Sequence, residues 1–341
     1  MRSLCNFFVA NRRQAIHNQG WLTKGILFIR LANLPVYSHL AGRMNNSAPI
    51  YKVRPENIAR IRNSLVLLRI PFSFFLSPVF FFALLCCPVQ SPARAVQVFI
   101  ILHLLVYPAS NGYNSFQDRD TDSIGGLKNP PLPDRSLFFI TLLLDFAGLI
   151  WAACLGWKFT ILLLAYILAS RAYSWRGIRL KKYPIIGFLT VFIFQGAGTL
   201  LCIQAGINPD LPLFYLPWQA PLVASCLIGA LYPLTQVYQH NQDRRDGVTT
   251  LSMLLGIRGS FVFTALLFSV AAMLLLWFLS EIGMPELFLR FIICNLPVLA
   301  FFGGWAWKVW KNPAKANHHF AMRMNLLSAL FMNISFLMML A

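Results

Sequence analysis

The stretch Asn111–Arg135, NGYNSFQDRDTDSIGGLKNPPLPDR, concentrates four aspartates in a chain that has only 11 acidic residues. Within it, Asn114, Asp118 and Asp122 recur at four-residue spacing, which on a helix places three oxygen-bearing side chains one above another. Hard divalent cations bind oxygen ligands of this kind. The pair Gly125–Gly126 predicts a helix stop. We therefore expect a helix end that carries carboxylates, followed by an ordered loop.

The composition predicts an all-α membrane protein that crosses the bilayer many times. Hydrophobic residues make up 57% of the 341 residues, charged residues make up 12%, and the mean hydropathy is +0.61. These values disfavour a soluble globular domain. Apolar runs long enough to cross a hydrocarbon core of about 30 Å predict nine spans. They lie near residues 64–87, 96–113, 136–156, 159–173, 184–206, 213–237, 260–280, 287–307 and 324–341.

The net charge of +18 is distributed in a way that is typical of membrane topology rather than of nucleic-acid binding. Basic residues fall in alternate loops, and the positive-inside rule makes those loops cytoplasmic. The N-terminus and both acidic loops are then cytoplasmic, and the C-terminus lies outside. We expect a multi-pass protein of a bacterial inner membrane that contacts membrane lipid and no nucleic acid, and the oligomeric state is left open.

Two regions are predicted along the chain. Residues 1–60 are basic and moderately apolar, and two interpretations of them stay open: an amphipathic segment on the membrane surface, or an incorrectly assigned start codon. Residues 61–341 hold all nine predicted spans and form the transmembrane domain.

A second acidic segment, QHNQDRRDG (residues 239–247), follows the sixth predicted span. Gln239, Asp243 and Asp246 fall at i, i+4 and i+7 and share one helix face, and Gly247 is placed to end the helix. The two acidic segments hold six of the 11 acidic residues. Both are predicted on the same side of the membrane, which makes them candidates for one shared site.

Carboxylates gathered at one membrane face repel one another unless cations neutralise them. Mg²⁺ prefers one or two carboxylates together with phosphate oxygens and water, so the pattern favours a lipid diphosphate bridged by Mg²⁺. The basic segment Arg176–Lys182 is either an ordinary cytoplasmic loop or a clamp for that diphosphate. Metal and cations would stabilise the leaving diphosphate, and the allylic carbocation left behind would need a dry pocket lined by aromatic rings.

Arg69 and Asp145 are among the charged residues that lie inside predicted spans. Arg69 in the first span either extends to the cytoplasmic interface or binds an anion. Asp145 in the third span is either a functional carboxylate or a neutral one that is hydrogen-bonded to a neighbouring helix.

Together, these motifs resemble the UbiA-type intramembrane prenyltransferase superfamily. Asn114, Asp118 and Asp122 match its N-x-x-x-D-x-x-x-D motif, YSWRGIRLKKYP (residues 173–184) resembles its basic loop, and GVTTLSMLLG (residues 247–256) resembles the sequel of its second motif. The resemblance implies a bundle of nine transmembrane helices with a central cavity open to the membrane. It also implies an isoprenyl diphosphate donor, a lipophilic acceptor and Mg²⁺ as cofactor.

The resemblance further implies roles for single residues. Catalysis is expected to depend on Asp118, Asp122 and Asp243. The set expected to hold Mg²⁺ is Asn114, Asp118, Asp122, Gln239, Asp243 and Asp246, and the set expected to contact the diphosphate is Lys128, Arg179 and Lys181, with Arg69 as a further candidate. The family's second motif begins with Asp where this chain has Gln239, which leaves the number of metal ions open.

The leading hypothesis is therefore an enzyme, a prenyltransferase. It would transfer an isoprenyl group from a (poly)prenyl diphosphate to a hydrophobic acceptor that is aromatic or a quinone precursor. The alternatives are a transporter of a divalent cation or phosphorylated lipid, and a terpene cyclase on the same scaffold. Neither the acceptor nor the prenyl chain length follows from the sequence.

Overall fold

The computed structural model describes residues 55–340, so the predictions for the N-terminal region lie outside the described residues except at its last few positions. Within this range the chain is helical, and its extended pairing is limited to an isolated bridge between Ile124 and Leu127. Its main helical segments are α1 (Ala59–Cys86), α2 (Pro92–Asp118), α3 (Arg135–Leu155), α4 (Trp157–Ser174), α5 (Pro184–Ile207), α6 (Gln219–Thr235), α7 (His240–Arg245), α8 (Leu251–Glu281), α9 (Glu286–Lys311) and α10 (His318–Leu340).

Seven helices within the described range are long and apolar enough to cross a membrane: α1, α2, α3, α5, α8, α9 and α10. The predicted number of nine spans is therefore not confirmed, although each predicted span overlaps one helix. α6 is shorter than the seven, and α4 carries Lys158 and Arg171 within its 18 residues. The all-α membrane class is confirmed.

Several of the long helices are irregular. α1 comprises most of the helix Pro55–Leu67, the 3₁₀ segment Ile70–Leu76 and the helix Ser77–Cys86. The break lies at Arg69, which adopts a left-handed backbone (φ 48°). Pro71 follows the break and cannot donate the backbone hydrogen bond that would continue the helix. The break places Arg69 at one end of the bundle, beside the acidic loops.

α2 and α5 each contain a π-helical turn, Ile101–Val106 and Phe192–Gly198 respectively. Turns of this kind recur at functional sites. α8 is kinked at Gly256, whose backbone has a φ of 70°. The helices with π-turns supply side chains to the cavity described below.

Arg94 connects three helices at the end of the bundle opposite the acidic loops. Its side chain donates a hydrogen bond to the carbonyl of Gly206 at 3.1 Å and another to the carbonyl of Leu155. Carbonyls in the last turn of a helix lack intrahelical partners, so one guanidinium satisfies the ends of both α3 and α5. Lys158 similarly binds the carbonyls of Pro209 and Leu211 at 3.0 and 2.8 Å.

Asp145 forms an ion pair with Arg171 between α3 and α4. The guanidinium also donates to Thr141 Oγ1 at 3.1 Å, and its Cζ lies 4.0 Å from the centre of the Tyr113 ring of α2. A charged pair inside a bundle is stable only when its remaining donors are satisfied, as they are here. The observed role of Asp145 is therefore to hold α2, α3 and α4 together.

Close approach of α5 and α6 depends on Gly196. A Cβ added at this position would lie 2.3 Å from Ser225 Cα, so a methyl group can be accommodated only if the two backbones move apart. We predict that Gly196→Ala lowers the free energy of unfolding by about 1–3 kcal/mol, the usual cost of overpacking. Thermal unfolding of the protein in detergent, followed as Tm, measures this loss.

Gly303→Ala is the matched control for that prediction. Gly303 is exposed, and a Cβ there meets no atom within 4 Å. Because alanine has a higher helix propensity than glycine, Tm should stay constant or rise. Equal Tm values for the two variants would contradict the predicted contact between α5 and α6.

Candidate active site

The site lies where three connecting segments meet at one end of the bundle. These are residues 119–134 after α2, residues 175–183 after α4 and residues 236–250 around α7. They border a cavity of about 280 Å³ whose wall includes Asp118, Asp120, Asp243 and Asp246. Aromatic side chains of the helix bundle, among them those of Tyr107, Tyr166 and Phe194, line the same cavity. The structure thus brings the two acidic segments together.

The first acidic segment differs from its predicted form. α2 ends at Asp118 because Arg119 adopts a left-handed backbone (φ 55°) and donates its N–H to the carbonyl of Ser115 at 3.1 Å. The predicted stacking of three side chains on one helix face is therefore wrong at Asp122, which lies beyond the helix. Its side chain is 54% exposed and pairs with Arg245, whereas the side chain of Asp118 is only 6% exposed.

Gly125–Gly126 do not end the helix, which is a second correction. Gly126 (φ 84°) instead belongs to the turn that is closed by the hydrogen bonds between Ile124 and Leu127. The helix ends just before Arg119, whose backbone adopts the left-handed conformation that glycine usually adopts at a helix end. The loop that follows is ordered, in agreement with the prediction, because side chains of other helices hold its carbonyls.

Asp120 lines the cavity although the helical spacing set it apart from the predicted ligands. Its carboxylate accepts a hydrogen bond from Gln242 Nε2. Burial raises the pKa of Asp120 to about 6, and the neighbouring carboxylate of Asp118 adds to that shift. Asp120 enters the cavity because the helix ends two residues earlier and the chain turns.

The second acidic segment forms α7, with Gln239 just before the helix and Asp246 just after it. Gly247 (φ 67°) follows the helix end, as predicted. Gln239, Asp243 and Asp246 all line the cavity, and Gln239 Nε2 donates to the carbonyl of Ser123 at 3.4 Å. With Asn114 and Asp118, five of the six predicted metal ligands thus line the cavity, and Asp122 does not.

Asp243 is the least compensated carboxylate of the site. Its Oδ2 is buried and has no hydrogen-bond partner among the described residues. Burial raises the pKa of Asp243 to about 7; Lys181 opposes the shift, and the carboxylates of Asp118 and Asp120 add to it. An additional cation in the cavity would relieve this repulsion.

The basic loop after α4 supplies three cations to the acidic cluster, of which Arg176 is exposed and lies 3.4 Å from Asp246 Oδ1. Lys181 pairs with Asp118 and lies 3.3 Å from Asn114 Oδ1, and Arg179 pairs with Asp246 and lies 3.5 Å from Asp118 Oδ1. Both line the cavity. This arrangement favours the phosphate-clamp interpretation over that of an ordinary solvated loop. Lys128 is exposed and does not line the cavity.

Arg69 is buried at the end of the bundle that carries the acidic loops. It is only 8% exposed, and its guanidinium donates to the carbonyls of Gly125 at 3.0 Å and Asn111 at 3.1 Å. These two bonds attach the first acidic loop to α2. Arg69 also lines the cavity.

The donor set fits a divalent cation that is shared with a phosphorylated ligand. Within residues 55–340, no three His, Cys, Asp or Glu side chains converge closely enough to enclose a metal ion by themselves. However, the Oδ2 atom of Asp243 and the Oε1 atom of Gln242 are buried and unpaired beside the cavity. Mg²⁺ characteristically combines a few protein oxygens with phosphate oxygens and water, so an incomplete protein cage is the expected arrangement.

Two cavity residues, Gln242 and Asn325, were missed by sequence reasoning. Gln242 lies within the second acidic segment, but its amide is neutral, so the charge pattern does not identify it. Asn325 lies in the apolar stretch RMNLLSAL of α10. An amide inside a membrane span is itself the signal that identifies such a residue.

Comparison with known sequences identifies a related enzyme. The chain is 27% identical over 180 residues to digeranylgeranylglyceryl phosphate synthase of Pyrococcus horikoshii. That alignment covers 50% of this chain and 61% of the Pyrococcus protein.

Solved structures share the fold at low sequence identity. The apo structure of a UbiA homolog from Aeropyrum pernix K1 has a TM-score of 0.62 and 15% identity, covering 79% of this chain and 97% of the other. A UbiA homolog from Archaeoglobus fulgidus bound to GPP and Mg²⁺ has a TM-score of 0.58 and 19% identity, covering 82% and 99%. The sequence model of the UbiA prenyltransferase family matches residues 75–329. The chain therefore belongs to the UbiA prenyltransferase family.

Proposed function

We propose that this protein transfers an isoprenyl group from a (poly)prenyl diphosphate to a lipophilic acceptor in an Mg²⁺-dependent reaction. The observation that carries the proposal is the single cavity that joins four aspartates, Arg179 and Lys181 to aromatic side chains of the spanning helices. Structures of the Archaeoglobus homolog with DMAPP and Mg²⁺ and with GPP and Mg²⁺ support it by analogy of fold.

Asp118, Asp120, Asp243 and Asp246 would hold Mg²⁺, assisted by the side-chain oxygens of Asn114 and Gln239. When bound, Mg²⁺ neutralises the diphosphate and stabilises it as a leaving group. Arg179 and Lys181 supply further positive charge in the same cavity, where low dielectric strengthens their interaction with an anion. For Asp122, Lys128 and Arg69, the roles derived from sequence stay predictions.

The proposed reaction exchanges one bond at C1 of the prenyl group. The C1–O bond breaks and its electron pair leaves with the diphosphate. A nucleophilic atom of the acceptor then bonds to C1 and loses its proton. Tyr107, Tyr166 and Phe194 line the cavity. There they would exclude water and stabilise the allylic cation.

We further propose that the acidic end of the bundle faces the cytoplasm of a bacterial cell, since the basic loops lie at that end. The acceptor belongs to one of two classes. The sequence favours an aromatic or quinone-precursor acceptor, and the Pyrococcus relative carries the name of a glyceryl phosphate synthase. Parallel assays with acceptors of both classes separate them.

Asp118→Asn tests the metal and diphosphate site. The substitution removes a charge from the buried centre of the cluster, so we predict that diphosphate release from geranyl diphosphate with Mg²⁺ falls by roughly 100-fold or more. Asp210→Asn, at the opposite end of the bundle, is the charge-matched control and should retain activity. If wild-type protein releases no diphosphate from donors of any chain length but transports metal ions or lipid, the proposed function is wrong.

Comparing Asp120→Asn with Asp122→Asn tests whether position in the cavity or membership of the sequence motif identifies the aspartates that activity requires. The side chain of Asp120 lines the cavity, whereas that of Asp122 is 54% exposed and pairs with Arg245. We predict that Asp120→Asn lowers kcat at saturating Mg²⁺ by at least about tenfold more than Asp122→Asn does. The reverse order would restore the assignment based on the motif alone.

Gln239→Asp tests whether Gln239 occupies a metal-ligand position. A carboxylate there adds one negative charge to the cavity wall, so the Mg²⁺ concentration at half-maximal activity should fall by about tenfold. Asn241→Asp adds the same charge to α7 at an exposed position and is the control. An equal response of both variants, or none in either, would refute the assignment.

A further inference from the structure

Asn325 of α10 has a buried amide that the proposed mechanism does not use. The residue is 5% exposed and lines the cavity, and its Nδ2 has no hydrogen-bond partner among the described residues. An N–H donor that is buried without a partner is costly, and an amide inside a membrane span more so. This amide therefore indicates that a molecule in the cavity supplies an oxygen atom to it.

The depth of Asn325 follows from two contacts of the same helix. His318 Nε2 lies 3.0 Å from the carbonyl oxygen of Ile124, and the N–H of Gly126 lies 3.2 Å from Met322 Sδ. His318, Met322 and Asn325 are spaced i, i+4 and i+7, so Asn325 lies on the same helix face as the other two residues. At a rise of 1.5 Å per residue, it lies about 10 Å further along the helix than His318. Asn325 is therefore about two turns deeper in the bundle than the first acidic loop.

The wall formed by α2 shows the same layering. Asn111 lines the cavity seven residues, or about two helical turns, before Asp118. The carboxylates of the cavity wall thus all lie near the loops, whereas Asn111 and Asn325 line the cavity about two turns deeper in the bundle. A diphosphate that is held by the carboxylates and by Arg179 and Lys181 occupies the upper layer.

The chemistry of the prenyl donor and of the acceptor indicates which of them can accept a hydrogen bond from the Asn325 amide. The prenyl chain of the donor contains only carbon and hydrogen and cannot accept a hydrogen bond. The donor diphosphate is held at the level of the carboxylates. The remaining partner is the acceptor. We propose that Asn325 is a specificity-determining residue that donates a hydrogen bond to an oxygen atom of the acceptor, whether hydroxyl, phenol or carbonyl; this inference rests on the proposed function.

Asn333, in the same helix, is a comparison residue whose amide contacts a neighbouring helix. It has the same exposure of 5%, but its Nδ2 donates to Ser77 Oγ of α1 at 2.6 Å. Asn333 does not line the cavity. Its Oδ1 also lacks a partner among the described residues, but its Nδ2 joins two helices, whereas the Nδ2 of Asn325 is unpaired in a residue that lines the cavity.

The test compares Asn325→Leu with Asn333→Leu by steady-state kinetics. The donor is geranyl diphosphate with Mg²⁺, and the acceptor probes are 4-hydroxybenzoate and geranylgeranylglyceryl phosphate. We expect Asn325→Leu to raise KM for the accepted probe at least tenfold while KM for geranyl diphosphate changes less than twofold. Asn325→Ser, which keeps an O–H donor, should recover part of the loss. Asn333→Leu should lower Tm without this selective rise in acceptor KM.

The remaining outcomes are also decisive. The probe that is prenylated identifies whether the oxygen belongs to an aromatic compound or to a glyceryl lipid. Absence of diphosphate release by the wild-type enzyme refutes the proposed function. With diphosphate release intact, three results overturn the role of Asn325: an equal rise in acceptor KM in both leucine variants, a parallel rise in donor KM, or prenylation of neither probe.

Discussion

Repulsion between carboxylates is the constraint on which the structure of the site depends. Asp118, Asp120, Asp243 and Asp246 share one cavity wall, and burial together with mutual repulsion raises the pKa of Asp120 to about 6 and that of Asp243 to about 7. Arg176, Arg179 and Lys181 pair with these carboxylates and offset part of this charge. The imbalance favours binding of a further cation, and a cation held by so few protein oxygens favours a ligand that brings phosphate oxygens of its own.

The two ends of the bundle differ in what their basic side chains contact. At the far end, Arg94 and Lys158 satisfy the carbonyls of helix ends and neighbouring loops, which holds the helices together. At the site end, the three non-glycine residues with positive φ within the described range are Arg69, Arg119 and Arg179. Such backbones are uncommon and cluster where surrounding contacts enforce them, as at active sites. Two of these arginines line the cavity, and the third ends α2.

Much of this arrangement was predictable because it depends on local pattern. Hydrophobic runs predicted the helices, and the charge pattern predicted that both acidic segments and the basic loop belong together. The failures have a common cause. Four-residue spacing predicts one helix face only while the helix continues, and no glycine or proline occurs among the six residues after Asp118. Arg119 ends the helix through a backbone that arginine seldom adopts, so Asp120 enters the cavity and Asp122 leaves it.

The sequence by itself determined the class of protein, the positions of its helices and the residues from which a site is built, since hydrophobicity and charge act through composition and local spacing. The tertiary structure alone decided which of those residues meet. It directed Asp120 and Asn325 into the cavity, left Lys128 exposed, and paired Asp145 with Arg171. Such outcomes depend on where a helix stops and which face a neighbouring helix presents, and both are settled by packing between segments far apart in the chain.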